Sequence, residues 1–220
     1  MRSYAVLARM KIGILGSGSV AQTLAVGFLD RGHDVMLGTR DANKLATWRS
    51  EAGAKASVGT FRDAAAFGEI VVLATLGTAT LDVLDAAGKE HFAGKVVMDA
   101  TNPLSHDGDK LELSMGFSES LGERIAAAIP DARVVKAFNS VGAPLMVDPK
   151  LPGGPPDMFI AGNDAQAKDT VAEIARAFGW GVVDAGGIEA ARLLEPLCIL
   201  WVDYGVRTGT WNHAFKLLRG

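Results

Sequence analysis

Apolar and polar residues alternate in blocks along the chain from residue 11 onward. Short runs rich in β-branched residues are typical of strands buried in a parallel sheet. Between these runs, apolar residues recur every three or four positions: Val20, Leu24 and Phe28 share one helical face, and Gly32 gives a stop signal. The pattern predicts strands at residues 11–15, 34–38, 55–58, 69–75, 95–101 and 133–138, and helices at 19–31, 41–52, 61–67, 79–87 and 118–128.

The second half of the chain is less regular. A polar segment at 103–117 is predicted to be a loop, and a Pro/Gly-rich loop follows at 149–156. The pattern then predicts a strand at 157–162, a helix at 165–178 and a strand at 180–186. The tail at 189–219 has the spacing of helices, which we expect to break near Pro196 and at 205–209.

The order of these elements is βαβαβ twice over. It predicts an α/β fold, a Rossmann doubly wound and mostly parallel sheet with a small C-terminal helical lobe. We expect a dinucleotide-binding domain at 1–148 and a small C-terminal α/β extension at 149–220, whose helical tail would serve the substrate site or dimerisation. Met10 stands directly before the first strand, so it is a candidate start, with the first nine residues as a leader.

Composition narrows the classes of partner. Of the 220 residues, 49% are hydrophobic, which is ample for a buried core, and the net charge of −3 with no basic run argues against nucleic acid. The single cysteine, Cys198, excludes an intramolecular disulfide, argues against a cysteine-based metal site and fits a cytoplasmic protein. No apolar run reaches the ~18 residues that span a bilayer, so we expect no membrane partner.

A glycine-rich turn follows the first predicted strand. Its residues Gly16, Ser17, Gly18, Ser19 and Val20, closed by Ala21, form the GxGxxA variant of the dinucleotide fingerprint. The first glycine allows the tight turn, the second lets the pyrophosphate approach the backbone, and the small last residue lets helix and strand pack closely. The strand before it and the amphipathic helix after it favour a phosphate site over a tight turn without a ligand.

The end of the second predicted strand carries no carboxylate. NAD-binding versions of this unit place an acid there, about 20 residues after the fingerprint, to bind the ribose hydroxyls. This chain instead has Thr39 and Arg40, with Lys44 one helical turn on. A guanidinium can bind a 2′-phosphate with two charge-assisted hydrogen bonds, which predicts NADP(H). The alternative is a solvated helix start capped by Asp41.

Small polar residues follow the other predicted strands. They are Thr75, Leu76, Gly77 and Thr78 after one strand, Asn102 after the next, and Asn139 after the last strand of the second half. Ligands of open α/β sheets bind outside the carboxyl ends of the strands, so these residues are candidates for the nicotinamide half of the site, although each alone also fits a turn or a helix cap. Asn139 and Asn102 are the candidate catalytic residues.

The sequence shows no general acid or base of the usual kinds. Of the four histidines only His106, in the polar segment, could reach the site, and no metal-site pattern is present. Hydride transfer between two redox rings needs alignment and exclusion of water more than a protein acid. Reduction of a carbonyl more often needs a Lys, Tyr or His donor.

The motifs GSGSVA, GTR, DATNPL and VVKAFN, with the tail ARLLEPLCILWVDYG, give the chain a family resemblance. It resembles the F420-dependent NADP reductases, and with them the cytosolic domains of the six-transmembrane ferric reductases. The resemblance implies NADPH stretched over the fingerprint, Thr39, Arg40 and residues 75–78. It implies an acceptor ring near Asn102 and residues 137–139, which adds Ala137 to the candidate site, and a homodimer.

The resemblance indicates the cofactor more firmly than it indicates the hydride acceptor. DATNPL is closer to the ferric-reductase branch, so the hydride acceptor is left open between coenzyme F420, a flavin and another acceptor. We therefore expect an NADPH-dependent oxidoreductase that transfers hydride between NADP(H) and a flat acceptor. The alternatives are a dehydrogenase or imine reductase acting on a small carbonyl or imine, and a non-catalytic NADPH-binding sensor.

Overall fold

The computed structural model describes residues 8–108 and 110–219. Most of the candidate leader, residues 1–7, lies outside this range. Ten strands are found among the described residues: β1 Lys11–Leu15, β2 Asp34–Gly38, β3 Ala56–Gly59, β4 Ile70–Leu73, β5 Val96–Asp99, β6 Leu104–Asp107, β7 Lys110–Leu113, β8 Arg133–Lys136, β9 Asp157–Gly162 and β10 Gly181–Asp184.

Eight of these strands form one sheet in the order β10-β9-β8-β5-β4-β1-β2-β3. Within this sheet the pairs β3–β2, β2–β1, β1–β4, β4–β5 and β5–β8 are parallel. Strand β9 pairs antiparallel with β8, and β10 runs parallel to β9. Strand β4 shows why the sequence of a central strand is apolar at every position. Ile70 and Val72 belong to one buried core cluster, and Val71 and Leu73 belong to the other. Both faces of the sheet are therefore covered.

The described residues also form seven α-helices. They are α1 Ser19–Asp30, α2 Ala46–Glu51, α3 Phe61–Phe67, α4 Thr80–Ala87, α5 Leu121–Ala128, α6 Ala165–Ala177 and α7 Ala191–Thr208. Helices α1, α2 and α6 contribute to one core cluster, and α3, α4 and α5 to the other. The structure confirms the predicted fold class, a Rossmann sheet with a helical C-terminal element.

Strands β9 and β10 extend the same sheet as β1 to β8. The extension at 149–220 therefore shares its sheet with residues 1–148, and its division from them stays a prediction. The predicted helix at 41–52 is a 3₁₀-helix, Ala42–Leu45, followed by the short α2. Asp41 caps the 3₁₀-helix by accepting a hydrogen bond from the Asn43 N–H at 3.0 Å.

Three local predictions are wrong. The segment 103–117 is not a plain loop, because β6 and β7 form an antiparallel hairpin. The tail does not break at Pro196: α7 continues through it to Thr208, and Gly209 follows in a left-handed conformation with φ of 69°. Residues 210–219, predicted to be helical, form no helix. Proline costs about 3 kcal/mol in a helix interior. Here Leu194, Glu195 and Cys198 are buried on either side of it, and their packing outweighs this cost.

Candidate active site

A large cleft lies along the carboxyl edge of the sheet, across the point where the strand order reverses between β1 and β4. Its volume is about 1000 Å³. Such a crevice is where open α/β sheets bind their ligands. Among its lining residues are all but two of those predicted from the sequence, namely Gly16, Ser17, Gly18, Ser19, Val20, Thr39, Arg40, Lys44, Thr75, Leu76, Gly77, Thr78 and Asn102.

The fingerprint turn has the geometry that its glycines require. Gly16 has φ of 144°, and a side chain there would overlap the Ala74 carbonyl oxygen. Around a Cβ placed on Gly18, in contrast, there is open space to 4 Å. Helix α1 starts at Ser19 with no side-chain cap and no acid in its first turn. Its first N–H groups and its positive dipole end therefore face the cleft without a competing anion on the helix.

The end of β2 combines one ordered hydroxyl with two exposed cations. Thr39 is buried, and its Oγ1 accepts a hydrogen bond from the Asp41 N–H at 3.2 Å. Arg40 and Lys44 are exposed and line the cleft. Within residues 8–108 and 110–219, neither cation forms a salt bridge. The Asp41 carboxylate also lies at the cleft, where its hydrogen bond to Asn43 partly satisfies it.

The loop after β4 is held by hydrogen bonds of threonine hydroxyls and leaves one apolar side chain exposed. Thr75 and Thr80 share a hydrogen bond of 2.9 Å between their hydroxyls, and the Thr80 hydroxyl donates to the Leu76 carbonyl at 3.1 Å. Leu76 itself is 78% exposed. A leucine that is exposed at the mouth of a cleft leaves apolar surface for a ligand to cover.

The two asparagines predicted to be catalytic are bonded to each other, but only Asn102 lines the cleft. Its Nδ2 donates to the Asn139 carbonyl at 2.7 Å, and the Asn139 Nδ2 donates back to the Asn102 Oδ1 at 3.1 Å. Asn139 is only 3% exposed and Ala137 is fully buried, so the structure places both behind the cleft wall. Asn139 is linked to the cleft by its hydrogen bonds with Asn102, and direct contact of Ala137 or Asn139 with a ligand stays a prediction.

The hairpin contributes lining residues that sequence reasoning missed. Leu104, Ser105 and Leu111 line the cleft beside Asn102. A signal was present, because the two residues between the strands, 108–109, are Gly-Asp, a pair typical of two-residue hairpin connections. His106 belongs to β6, and its side chain lies outside what the structure describes.

A buried charged cluster, formed by Lys136, Asp99 and Glu195, lies behind the Asn102 end of the cleft. The Lys136 Nζ contacts Asp99 Oδ2 at 2.9 Å and Glu195 Oε1 at 2.8 Å, and it donates to the Thr101 carbonyl at 2.8 Å. The three side chains are 0%, 0% and 1% exposed. Sequence reasoning missed this cluster. The signal was a charged residue inside each of three apolar runs, VVMDAT, VVKAFN and ARLLEPLCIL.

The carboxylates keep Lys136 charged. Burial alone would lower the pKa of its ammonium group, but attraction to Asp99 and Glu195 and the hydrogen bonds to them outweigh burial and raise the pKa. Burial also raises the pKa of the neighbouring Cys198 thiol to about 11, so this cysteine is a neutral, unreactive thiol at pH 7.

The lining residues follow the order of the strands. From β2 through β1 and β4 to β5, the cleft passes Arg40, the fingerprint turn, residues 75–78 and Asn102. Three strand spacings separate its ends, or about 14 Å, which suits an extended dinucleotide. Among the described residues we find no group of His, Cys, Asp and Glu able to hold a metal ion, and no helix apolar and long enough to cross a bilayer.

Comparison with known proteins finds F420-dependent NADP reductases and metalloreductases among the proteins that this chain resembles. The family model described as "NADP oxidoreductase coenzyme F420-dependent" matches residues 11–103. The F420-dependent NADP reductase of Methanothermobacter marburgensis is 29% identical over 221 residues, covering 94% of this chain and 98% of that protein. The metalloreductase STEAP3 of Rattus norvegicus is 30% identical over 188 residues, which cover 85% of this chain but only 36% of that longer protein.

A crystal structure from Arthrobacter sp. FB24 extends the likeness to the whole fold. That protein, assigned as an F420-dependent NADP reductase, is 40% identical to this chain with a TM-score of 0.91. The match covers 96% of this chain and 100% of that one. The likeness therefore includes α7 and the cleft, beyond the residues that the family model matches.

Proposed function

Because this chain belongs to the F420-dependent NADP reductase family, an NADP-dependent oxidoreductase family, we propose that it transfers hydride between NADP(H) and a flat redox acceptor, coenzyme F420 or a flavin. The observation that carries this proposal is the Asn102 end of the cleft. Leu76, Leu104 and Leu111 stand there beside an amide, so a planar ring can be covered by apolar surface and oriented by few polar groups.

NADP(H) would lie along the strand order. Its 2′-phosphate would contact Arg40, Lys44 and the Thr39 hydroxyl, and its pyrophosphate would lie over Gly16–Val20 at the start of α1. Its nicotinamide would pass residues 75–78 and reach Asn102. Asn102 would bind the carboxamide or the ring edge, and Asn139 would hold Asn102 in position. The cofactor supplies the hydride chemistry, and the chain supplies alignment.

Reduction of a small carbonyl or imine is the first alternative. It needs a proton donor near the reacting atom. Of the described residues that line the cleft, none is a histidine or tyrosine, and the single lysine, Lys44, lies at the opposite end from Asn102. This favours ring-to-ring hydride transfer. A non-catalytic NADPH sensor is the second alternative, and only turnover distinguishes it.

The experiment is NADPH oxidation followed in turn with F420, FMN, FAD, ferric chelates and a panel of small carbonyls and imines. The proposal expects turnover with F420 or a flavin and little with a carbonyl or imine panel. Tight NADPH binding without turnover on any acceptor would contradict the proposal and favour the sensor. Turnover restricted to imines would favour the first alternative.

We further propose that the protein acts as a cytoplasmic homodimer through α7. Leu193, Leu197, Leu200 and Tyr204 recur at the spacing of one helical face, and Leu193 and Leu200 are 67% and 56% exposed. The neighbouring face of the helix carries Leu194, Cys198 and Trp201, which are buried. An exposed apolar stripe of this kind favours association with a second copy.

A further inference from the structure

The charged cluster connects three parts of the chain that are distant in sequence. Lys136 ends β8, Asp99 ends β5 and Glu195 lies in α7. A lysine ammonium has three hydrogens. They meet Asp99, Glu195 and the Thr101 carbonyl, so every donor of this buried ion has an acceptor. The cluster therefore defines a single geometry rather than a loose attraction.

Thr101, the residue directly before Asn102, is bound by this cluster at each polar group. Asp99 Oδ1 accepts hydrogen bonds from the Thr101 N–H at 2.9 Å and from its hydroxyl at 2.6 Å. Lys136 binds its carbonyl. The peptide that leads into Asn102 is thereby fixed from the side away from the cleft.

Helix α7 is also linked to Asn102 through Asn139. The Asn139 Nδ2 donates to the Leu194 carbonyl at 2.6 Å as well as to Asn102. Next to Leu194, Glu195 accepts the N–H groups of Leu121 and Gly122, both at 3.0 Å, at the start of α5. Residues 194–195 of α7 thus hold Asn102 through Asn139 and through Lys136.

The energetics argue against a purely stabilising role. Burying three charges carries a large desolvation cost, and apolar residues of similar volume often give equal or greater stability. What a fully satisfied polar cluster supplies is a defined arrangement. Displacement of a reacting group by about 1 Å can slow an enzyme about a hundredfold.

We infer that Lys136 and Glu195 are positioning residues for hydride transfer: α7 sets the place of Asn102 at the nicotinamide end of the cleft through the Lys136–Asp99–Thr101 contacts. This inference rests on the proposed function, because it requires the nicotinamide to lie against Asn102. It also gives the C-terminal helix a part in the chemistry of a cleft that it does not line.

The test compares Glu195→Gln with Glu123→Gln. Glu123 also ties α5 to α7, through Arg192 at 2.6 and 2.8 Å, but the described contacts give it no path to Thr101. Glu195→Gln keeps the size of the side chain and removes its charge from Lys136. Each variant is measured for melting temperature, for the Kd of 2′,5′-ADP, for the fluorescence of bound NADPH, and for single-turnover NADPH oxidation with the best acceptor.

The inference expects a selective effect. Glu195→Gln should change the fluorescence of bound nicotinamide and slow hydride transfer by about tenfold or more, while the Kd of 2′,5′-ADP stays within about twofold of wild type because that ligand occupies the far end of the cleft. Glu123→Gln should lower the melting temperature without moving the fluorescence or the rate. Should Glu195→Gln fail to fold, the triple variant Asp99→Asn/Lys136→Met/Glu195→Gln takes its place, because it removes all three charges and leaves no buried ion without its partner.

The outcomes separate this inference from the function on which it rests. Wild-type nicotinamide fluorescence and hydride-transfer rate in Glu195→Gln, or equal effects in Glu123→Gln, would overturn the inference alone. A wild-type protein that binds neither 2′,5′-ADP nor NADPH would overturn the proposed function, and the inference with it.

Discussion

At the scale of single residues, cofactor choice depends on the exposed pair Arg40 and Lys44. Both side chains line the cleft just beyond Thr39, and neither forms a salt bridge within the described part of the chain. An unpaired guanidinium at a strand end can bind an incoming phosphate without first leaving another partner. The nearby Asp41 would disfavour a phosphate by charge, but it is occupied as a helix cap.

Arg40→Ala should lower the affinity for NADPH by about tenfold or more, since a hydrogen bond to a charged group contributes about 1.5–3 kcal/mol. NADH affinity should change little, because NADH has no 2′-phosphate. Isothermal titration of both cofactors measures the difference, and Arg49→Ala, an exposed arginine outside the cleft lining, is the matched control. Equal losses for NADPH and NADH would contradict the assignment.

The two glycines of the fingerprint should separate folding from binding. Gly18 has φ of −79°, and a methyl group there meets open space in the free protein. Gly18→Ala should therefore leave the melting temperature near that of wild type, yet weaken NADPH binding because the methyl group occupies the space over the start of α1. Gly16→Ala should instead destabilise the fold by about 1–3 kcal/mol, because its backbone conformation disfavours a side chain. A normal NADPH affinity in Gly18→Ala would argue against a pyrophosphate at this turn.

At the scale of elements, the central strands β1, β4, β5 and β8 were predictable from sequence because each is a short, largely buried run in the middle of the sheet. The hairpin and α7 were not predicted. The polar composition of β6 and β7 outweighed the Gly-Asp turn signal between them, and Pro196 outweighed the helical spacing of α7 in the sequence interpretation. Long-range contacts stabilise α7, since it is held by Glu195, whose partners lie more than 50 residues away.

The apolar stripe of α7 predicts the state of association. Leu200→Glu should convert a dimer to a monomer at micromolar concentration, because it places a charge at the centre of the stripe. Val206→Glu is the matched control, since Val206 is 69% exposed but faces away from the stripe. Light scattering after size exclusion measures the mass. A wild-type monomer, or a Leu200→Glu dimer, would contradict this interface.

At the scale of the whole molecule, the carboxyl edge of the sheet forms the cleft. Helix α7 is bonded to the residues behind the Asn102 end of that cleft. The cofactor half of the site was predictable from sequence, because the fingerprint and Thr39–Arg40 lie within one local βαβ unit. At the acceptor half, Asn102 was predictable from its place after a strand, but the hairpin and the charged cluster were not, because they meet Asn102 only through the tertiary fold. Asn139 shows what the sequence could not predict. Its position after β8 predicted a place at the sheet edge, but the residue is buried there because it is bonded to Asn102 and Leu194.

Direct hydride transfer is the central claim, and isotope labelling tests it most directly. NADPH carrying deuterium on one or the other face of nicotinamide C4 is mixed with the protein and F420 or a flavin in a single turnover. Because the cleft would hold the nicotinamide in one orientation, we predict that deuterium on one face alone slows NADPH oxidation severalfold, and that in F420 the label is recovered in the product. Tight binding of NADPH with no oxidation, or oxidation at the same rate with either labelled face, would contradict the account.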